Sequence, residues 1–311
     1  MRENIFNHDV APVKMYREVA KENGDVSLVE VQGFNAIVRA SKTNPYDTGQ
    51  VVYVHPSSYY PIQLERLEEI AYELEQSGYK ITGSGELKSN RLAFIELENE
   101  DLPNLTFEGT ELSPKMWIGT SHDGSVALKS TIKIVDTVCM NSFMLNSASN
   151  ILFKAKHTRN SDYRIEEYQN QLRIAKESIT EYYEIVKRLQ DTKWIRSENN
   201  KEFANVLGAS MKPRKRKKDG KEYWTEKQYS GKHASQIADL NWSYDNSPGQ
   251  ESRGETAWRW FSAVTYWADH MISDRELESG SNILSGTRAR QKAKAFNIAQ
   301  SFTYNGFVNP L

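Results

Sequence analysis

The residues best equipped for chemistry are Ser121-His122-Asp123-Gly124, Cys139 and His157. A thiol beside an imidazole can act as a nucleophile. Cys139 lies inside the apolar run Ile132–Met140, however, where a cysteine behaves as a small inert hydrophobe. His122 and Asp123 before Gly124 also suit a tight turn between two strands. A metal could draw on His122, Asp123, His157, Asp269 and His270. No HxH or HExxH spacing supports that, and adjacent Asp269 and His270 project in different directions from a helix. Gly83-Ser84-Gly85 precedes Glu86 rather than a Lys-Ser/Thr pair, so it reads as a hairpin or bulge and not a phosphate loop. The expectation is a protein with no catalytic residues, no metal and no cofactor.

The strongest partner signal is a basic loop at 211–224. Lys212, Arg214, Lys215, Arg216, Lys217, Lys218 and Lys221 sit beside Tyr223 and Trp224. Cations neutralise phosphates, and aromatic rings stack bases without sequence preference. Further cations that could line a groove are Arg39, Lys42, Lys88 and Arg91 on two expected hairpins, with Lys156, His157 and Arg159 after them. The whole-chain charge of −1 hides an asymmetry. Residues 1–150 hold 13 Lys and Arg against 21 Asp and Glu, a net of −8, which leaves +7 for residues 151–311. The positive half can attract a polyanion.

The 311 residues suffice for one large or two ordinary domains. No apolar run approaches the ~20 residues of a membrane helix, and the first ten residues lack a signal-peptide core. One cysteine excludes an intramolecular disulfide. Together these predict a cytoplasmic protein with no membrane partner.

Positioning the candidate residues requires the following elements. A short helix is predicted from Met15 to Asn23, then strands over Val26–Ala40 and Gln50–Val54. Pro61 opens a helix with Ile62, Leu64, Leu67, Ile70, Ala71 and Leu74 on one face, closed by Gly78. Tyr79–Leu87 and Arg91–Glu98 form a hairpin, with further strands near Lys115–Thr120 and Ala127–Val138. From Asp162 to Trp194, Ile165, Tyr168, Leu172, Ala175, Ile179, Tyr182, Val186 and Leu189 repeat at steps of 3 and 4, the stripe of a packed helix. Thr256–Met271 and Asn282–Phe302 complete the helices. Hairpin-linked strands crossed by a helix define an α+β fold: an N-terminal antiparallel sheet over 1–150, followed by a mostly helical half over 151–311.

Several segments in order resemble one family, the "phage/plasmid-like protein" family catalogued as domain-of-unknown-function family 932. They are Tyr60-Pro61-Ile62-Gln63, Gly85-Glu86-Leu87-Lys88, Ser121-His122-Asp123-Gly124, Val138-Cys139-Met140-Asn141-Ser142, Lys156-His157-Thr158 and Ala263–His270. The chain carries Asp136, Met140 and Tyr266 where the resemblance leads one to expect Arg, Gln and a polar or acidic residue. The strand–helix order also resembles, more distantly, single-strand annealing proteins of the Rad52 and Red-beta kind. That resemblance implies self-association into a ring or filament on single-stranded DNA or RNA. It also implies work beside a phage or plasmid exonuclease or single-strand-binding protein. The leading expectation is therefore nucleic-acid binding and annealing in phage or plasmid recombination or replication. One alternative is a mobile-element protein that counters a host defence through an aromatic face at Trp258, Trp260, Phe261, Tyr266 and Trp267. The other is a metal-dependent enzyme built on His122, Asp123 and His157.

Overall fold

The computed structural model describes residues 5–305 apart from 22–23, 45, 88–89, 146–150, 158–170, 197–199, 214, 219–220, 225–227, 272 and 274–285. The fold is α+β. Strands β1 (His8–Ala20), β2 (Val26–Ser41) and β3 (Gln50–Pro56) form a three-stranded sheet in that order. A seven-stranded sheet follows from β4 (Lys80–Leu87), β5 (Leu92–Glu98), β6 (Leu105–Phe107), β7 (Thr110–Ser121), β8 (Leu128–Asp136), β9 (Asn141–Met144) and β10 (Ile151–Ala155). Its main path is β10-β8-β7-β5-β4, with β6 on β7 and β9 on β8.

By contact density the chain divides into two compact units, each discontinuous in sequence. The first comprises Met1–Pro103, Pro114–Lys133 and Leu145–Ile179; the second comprises Asn104–Ser113, Ile134–Met144 and Thr180–Leu311. In the first unit, helix α1 (Leu64–Gln76) buries Leu64, Leu67, Ile70, Ala71 and Leu74 along one face and packs on β4 and β5. Its buried Glu68 accepts the Phe6 backbone N–H at 2.7 Å, which satisfies a carboxylate that burial would otherwise penalise. The β1–β2 ribbon extends beyond this core, with Val13, Tyr16, Val26 and Leu28 exposed.

The second unit is mainly helical: the last turns of α2 (Gln171–Asp191), then α3 (Lys201–Leu207), α4 (Gly231–Asn246), α5 (Ala257–His270) and α6 (Thr287–Asn305). Helix α5 contacts α4, α6 and β9. Thr256 caps it by accepting the Arg259 N–H, and ten of its fourteen residues are buried, so it is hydrophobic nearly all round and serves as the central helix. On α2 the buried stripe is Ala175, Ile179, Tyr182, Val186 and Leu189, the sequence periodicity realised. Ile165 and Tyr168 lie outside the described residues.

Three expectations change. Of the expected helix Met15–Asn23, Met15–Lys21 is not helical, and 22–23 lie outside the described residues. Its first residues belong to β1, which pairs with β2 from His8↔Ser41 to Ala20↔Val26, and that long ladder overrides a weak local helical preference. The basic loop contains a hairpin of β11 (Lys215–Lys218) and β12 (Lys221–Trp224). Helical structure begins later than residue 151, because β10 still belongs to the sheet. The expected helix Asn282–Phe302 is formed over its described part, as α6 from Thr287; 282–285 lie outside the described residues.

Candidate functional site

The segments that carry the family resemblance converge on two clusters, one in each unit. In the first unit, the end of β7 and the start of β8 are joined by a turn through His122, Asp123 and Gly124. Ser121 donates to the Val126 carbonyl at 3.1 Å and accepts the Val126 N–H at 2.8 Å, which ties the turn shut. Gly124 has φ +69°, and a Cβ there would lie 2.9 Å from the His55 ring. The glycine therefore provides both the left-handed conformation and the space for His55.

Into that space fits an aromatic column. The His55 ring stacks on Tyr59 with centroids 3.7 Å apart and planes 9° from parallel, and Tyr59 stacks on His157 at 5.0 Å. Tyr53, two residues before His55 on the same face of β3, meets it at 4.8 Å. Hydrogen bonds fix the rings. His55 Nε2 donates to the His122 carbonyl at 3.1 Å. His157 Nε2 faces the Val126 carbonyl at 3.1 Å, and a carbonyl can only accept, so the proton sits on Nε2. Nδ1 is then the acceptor for the Tyr59 hydroxyl, 3.0 Å away, which also lies 3.1 Å from the Ser121 carbonyl. Burial pushes the His157 pKa down and, with the Asp123 charge second, the Tyr59 pKa up.

His122 is wholly buried, and among the described residues neither ring nitrogen has a hydrogen-bond partner. Desolvation first, and the His157 charge second, lower its pKa to about 4. It is a neutral ring at pH 7. Nearby, Glu86 lies 3.0 Å from His8 and accepts from Arg39 at 2.9 Å.

The second cluster joins the turn after β8 to α5 and α6. Arg253 is wholly buried. Its guanidinium donates to Asp136 at 2.6 Å, to the Gly109 carbonyl at 2.7 and 2.9 Å, and to Thr110 at 3.1 Å. Asp136, unexpected from the resemblance, is thus the counter-ion of a residue 117 positions away. Met140 adopts φ +57°, turning the chain into β9. Asn141 then donates to the Ser262 carbonyl at 3.2 Å and to Thr265 at 3.1 Å. Ser142 donates its N–H to Asp269 at 2.7 Å, and buried Lys292 bridges Asp269 and the Ser142 carbonyl. The Cys139 thiol is pushed up to about 12, mainly by burial and then by Asp136. It is a neutral thiol against Arg253, 3.9 Å from Nη2. This network clamps β9 to α5 through charge and hydrogen bonding.

The sequence-predicted residues are placed as follows. Cys139 belongs to the second unit and both His122 and His157 to the first. Among the described residues no group of three or more His, Cys, Asp or Glu has metal-holding geometry. Trp258, Trp260, Phe261 and Trp267 are core residues, so they present no aromatic docking face. Arg39 pairs with Glu86, and Lys42 with Glu65 at 2.5 Å and Asp9 at 3.6 Å. Arg91 and Lys156 are exposed. Lys88, Arg159 and Arg214 lie outside the described residues. Lys212 is exposed and closes the base of the hairpin by exchanging backbone hydrogen bonds with Gln228 at 3.0 and 3.2 Å. Above it, Lys215 stands opposite Trp224, Arg216 opposite Tyr223, Lys217 opposite Glu222 and Lys218 opposite Lys221. Tyr53, His55, Tyr59, Arg253 and Lys292 were not among the sequence candidates. Only Tyr60-Pro61, beside Tyr59, hinted at any of them.

The model of the family described as "Domain of unknown function (DUF932)" matches residues 53–301. The match covers most of the chain, which therefore belongs to that family. Neither a curated protein nor a solved structure matches it.

Proposed function

We propose that the protein binds single-stranded nucleic acid and promotes its annealing, in phage or plasmid recombination or replication. The observation that carries this reading is the β11–β12 hairpin. Its first strand is four consecutive cations, Lys215, Arg216, Lys217 and Lys218, and the paired strand ends in Tyr223 and Trp224. A cationic strand exchanges its counterions for phosphates with a gain in entropy, and the aromatic residues supply stacking surfaces. The hairpin is a separate two-stranded sheet, in the half of the sequence with a net charge of +7. Annealing needs a strand held by its backbone with the base edges free to pair, and phosphate-binding cations beside residues that stack bases regardless of sequence support that reading. Copies of the chain in a ring or filament would extend such a surface along the strand. The test is binding to single-stranded DNA, duplex DNA and RNA at two salt concentrations, for the parent and for a variant with Lys215, Arg216, Lys217 and Lys218 replaced by Ala.

A further inference from the structure

The aromatic column of the first unit has a closed end and an open end. At the closed end His157 is held by Val126 and Tyr59. At the open end Tyr53 is 41% exposed. It lies on β3, an edge of the three-stranded sheet, opposite Ile37 of β2. Behind it the His55 ring is held in place, stacked on Tyr59 and donating from Nε2 to the His122 carbonyl. Tyr53 is therefore an exposed ring on a rigid support.

A cation stands beside it. Arg91 Cζ is 6.0 Å from the Tyr53 centroid, whereas Arg288 in the second unit lies directly on Trp267 at 3.5 Å. Arg91 thus sits over the Tyr53 ring at the outer limit of a cation–π contact, a loose cover that an incoming ring can displace. Its backbone is fixed, donating to the Leu87 carbonyl and accepting the His122 N–H, while its side chain is exposed. An exposed ring with a loosely seated guanidinium over it suits a flat ligand carrying a nearby negative charge, which takes the ring face while the guanidinium moves to the charge.

We propose that Tyr53, supported by His55 and Tyr59 and flanked by Arg91, is a stacking platform for an unpaired nucleobase, with Arg91 placed to meet the adjoining phosphate. The proposal rests on the nucleic-acid reading above and adds to it a base-contacting site in the first unit. Stacking on a phenol ring is indifferent to base identity, as annealing of arbitrary sequences requires.

The experiment compares the full-length parent, Tyr53→Leu and Tyr53→Phe for binding to an oligothymidylate and to an abasic strand of equal length, each at two salt concentrations. Tyr53→Leu should bind the oligothymidylate roughly 5- to 150-fold more weakly, with an unchanged salt slope. Tyr53→Phe should bind like the parent, since it keeps the ring. On the abasic strand all three proteins should bind alike. Equal binding of parent and Tyr53→Leu to the oligothymidylate would overturn the platform and leave the hairpin reading intact. A loss that persists on the abasic strand would also overturn it. Failure of the parent to bind any strand would overturn both readings.

Discussion

Arg253→Met removes a guanidinium that is wholly buried and bonded to Asp136, Gly109 and Thr110. The methionine fills much of the space but leaves the Asp136 carboxylate, itself 5% exposed, without its counter-ion. Breaking a buried pair from one side costs about 3–5 kcal/mol, because the remaining charge is uncompensated. For a unit of this size that lowers the thermal midpoint by about 6–20 °C. Six of the seven tryptophans lie in the second unit, so urea unfolding followed by tryptophan fluorescence reports mainly on it. Asp136→Asn should be costly for the converse reason. The double variant should lose less than the two single losses added together, by about 0.5–3 kcal/mol. A pH signature accompanies this. Burial already raises the Asp136 pKa against the opposing effect of Arg253, and the substitution raises it further. A raised carboxylate pKa in the folded state is a penalty present at neutral pH and relieved as pH falls through it. The gap between variant and parent should therefore narrow on acidification. A loss below about 1 kcal/mol, or strictly additive single losses, would refute the coupling.

Acid should weaken the first unit through His122. With a folded pKa of about 4 against an ordinary 6.5, its neutral form stabilises the fold by about 3 kcal/mol above pH 6.5. That contribution is lost as pH falls from 6.5 through 4. His122→Leu should flatten urea-unfolding midpoints measured across that range, and an undiminished slope would contradict the assignment. Gly124→Ala should cost more than the about 1–3 kcal/mol of left-handed strain alone, because its Cβ meets His55. Gly33→Ala, at φ +83° in open space, should cost the strain only, and equal thermal shifts would sink the steric argument. Cys139 should resist alkylation in the native protein and react on unfolding, given a thiol near 12. Cys139→Ser should fold with a loss of about 1–3 kcal/mol and keep nucleic-acid binding; rapid native labelling would contradict the burial.

Amphipathic periodicity was legible where one face of an element is buried. The Leu64–Leu74 face of α1 and the Ala175–Leu189 stripe of α2 follow directly from spacing. Strand pairing was less so, because it depends on partners far away. Met15–Asn23 carries a weak helical pattern, and only the ladder to β2 makes its first residues a strand. The β11–β12 hairpin is similar: consecutive lysines have low strand preference, and closure through Lys212 and Gln228 supplies what propensity does not. In the two clusters, the motif halves Ser121–Gly124 and Cys139–Ser142 stood out by residue type. Their partners did not. Arg253 is 117 residues from Asp136 and Lys292 is 150 from Ser142, distances at which no local pattern links two side chains. His55 and Tyr59 look like ordinary loop residues until the fold stacks them.

The hairpin reading is tested most directly by the salt dependence of single-stranded DNA binding with and without its four cations. Fluorescence polarisation of a labelled oligothymidylate, titrated with parent and with the Lys215, Arg216, Lys217 and Lys218 to Ala variant over a series of salt concentrations, gives log K against log[salt]. The parent should bind with a steep negative slope. The variant should bind more weakly, with the slope shallower by about 0.7 for each phosphate contact removed. Equal affinity and equal slope for the two proteins would show that β11–β12 is a solvated connector and contradict the proposed function.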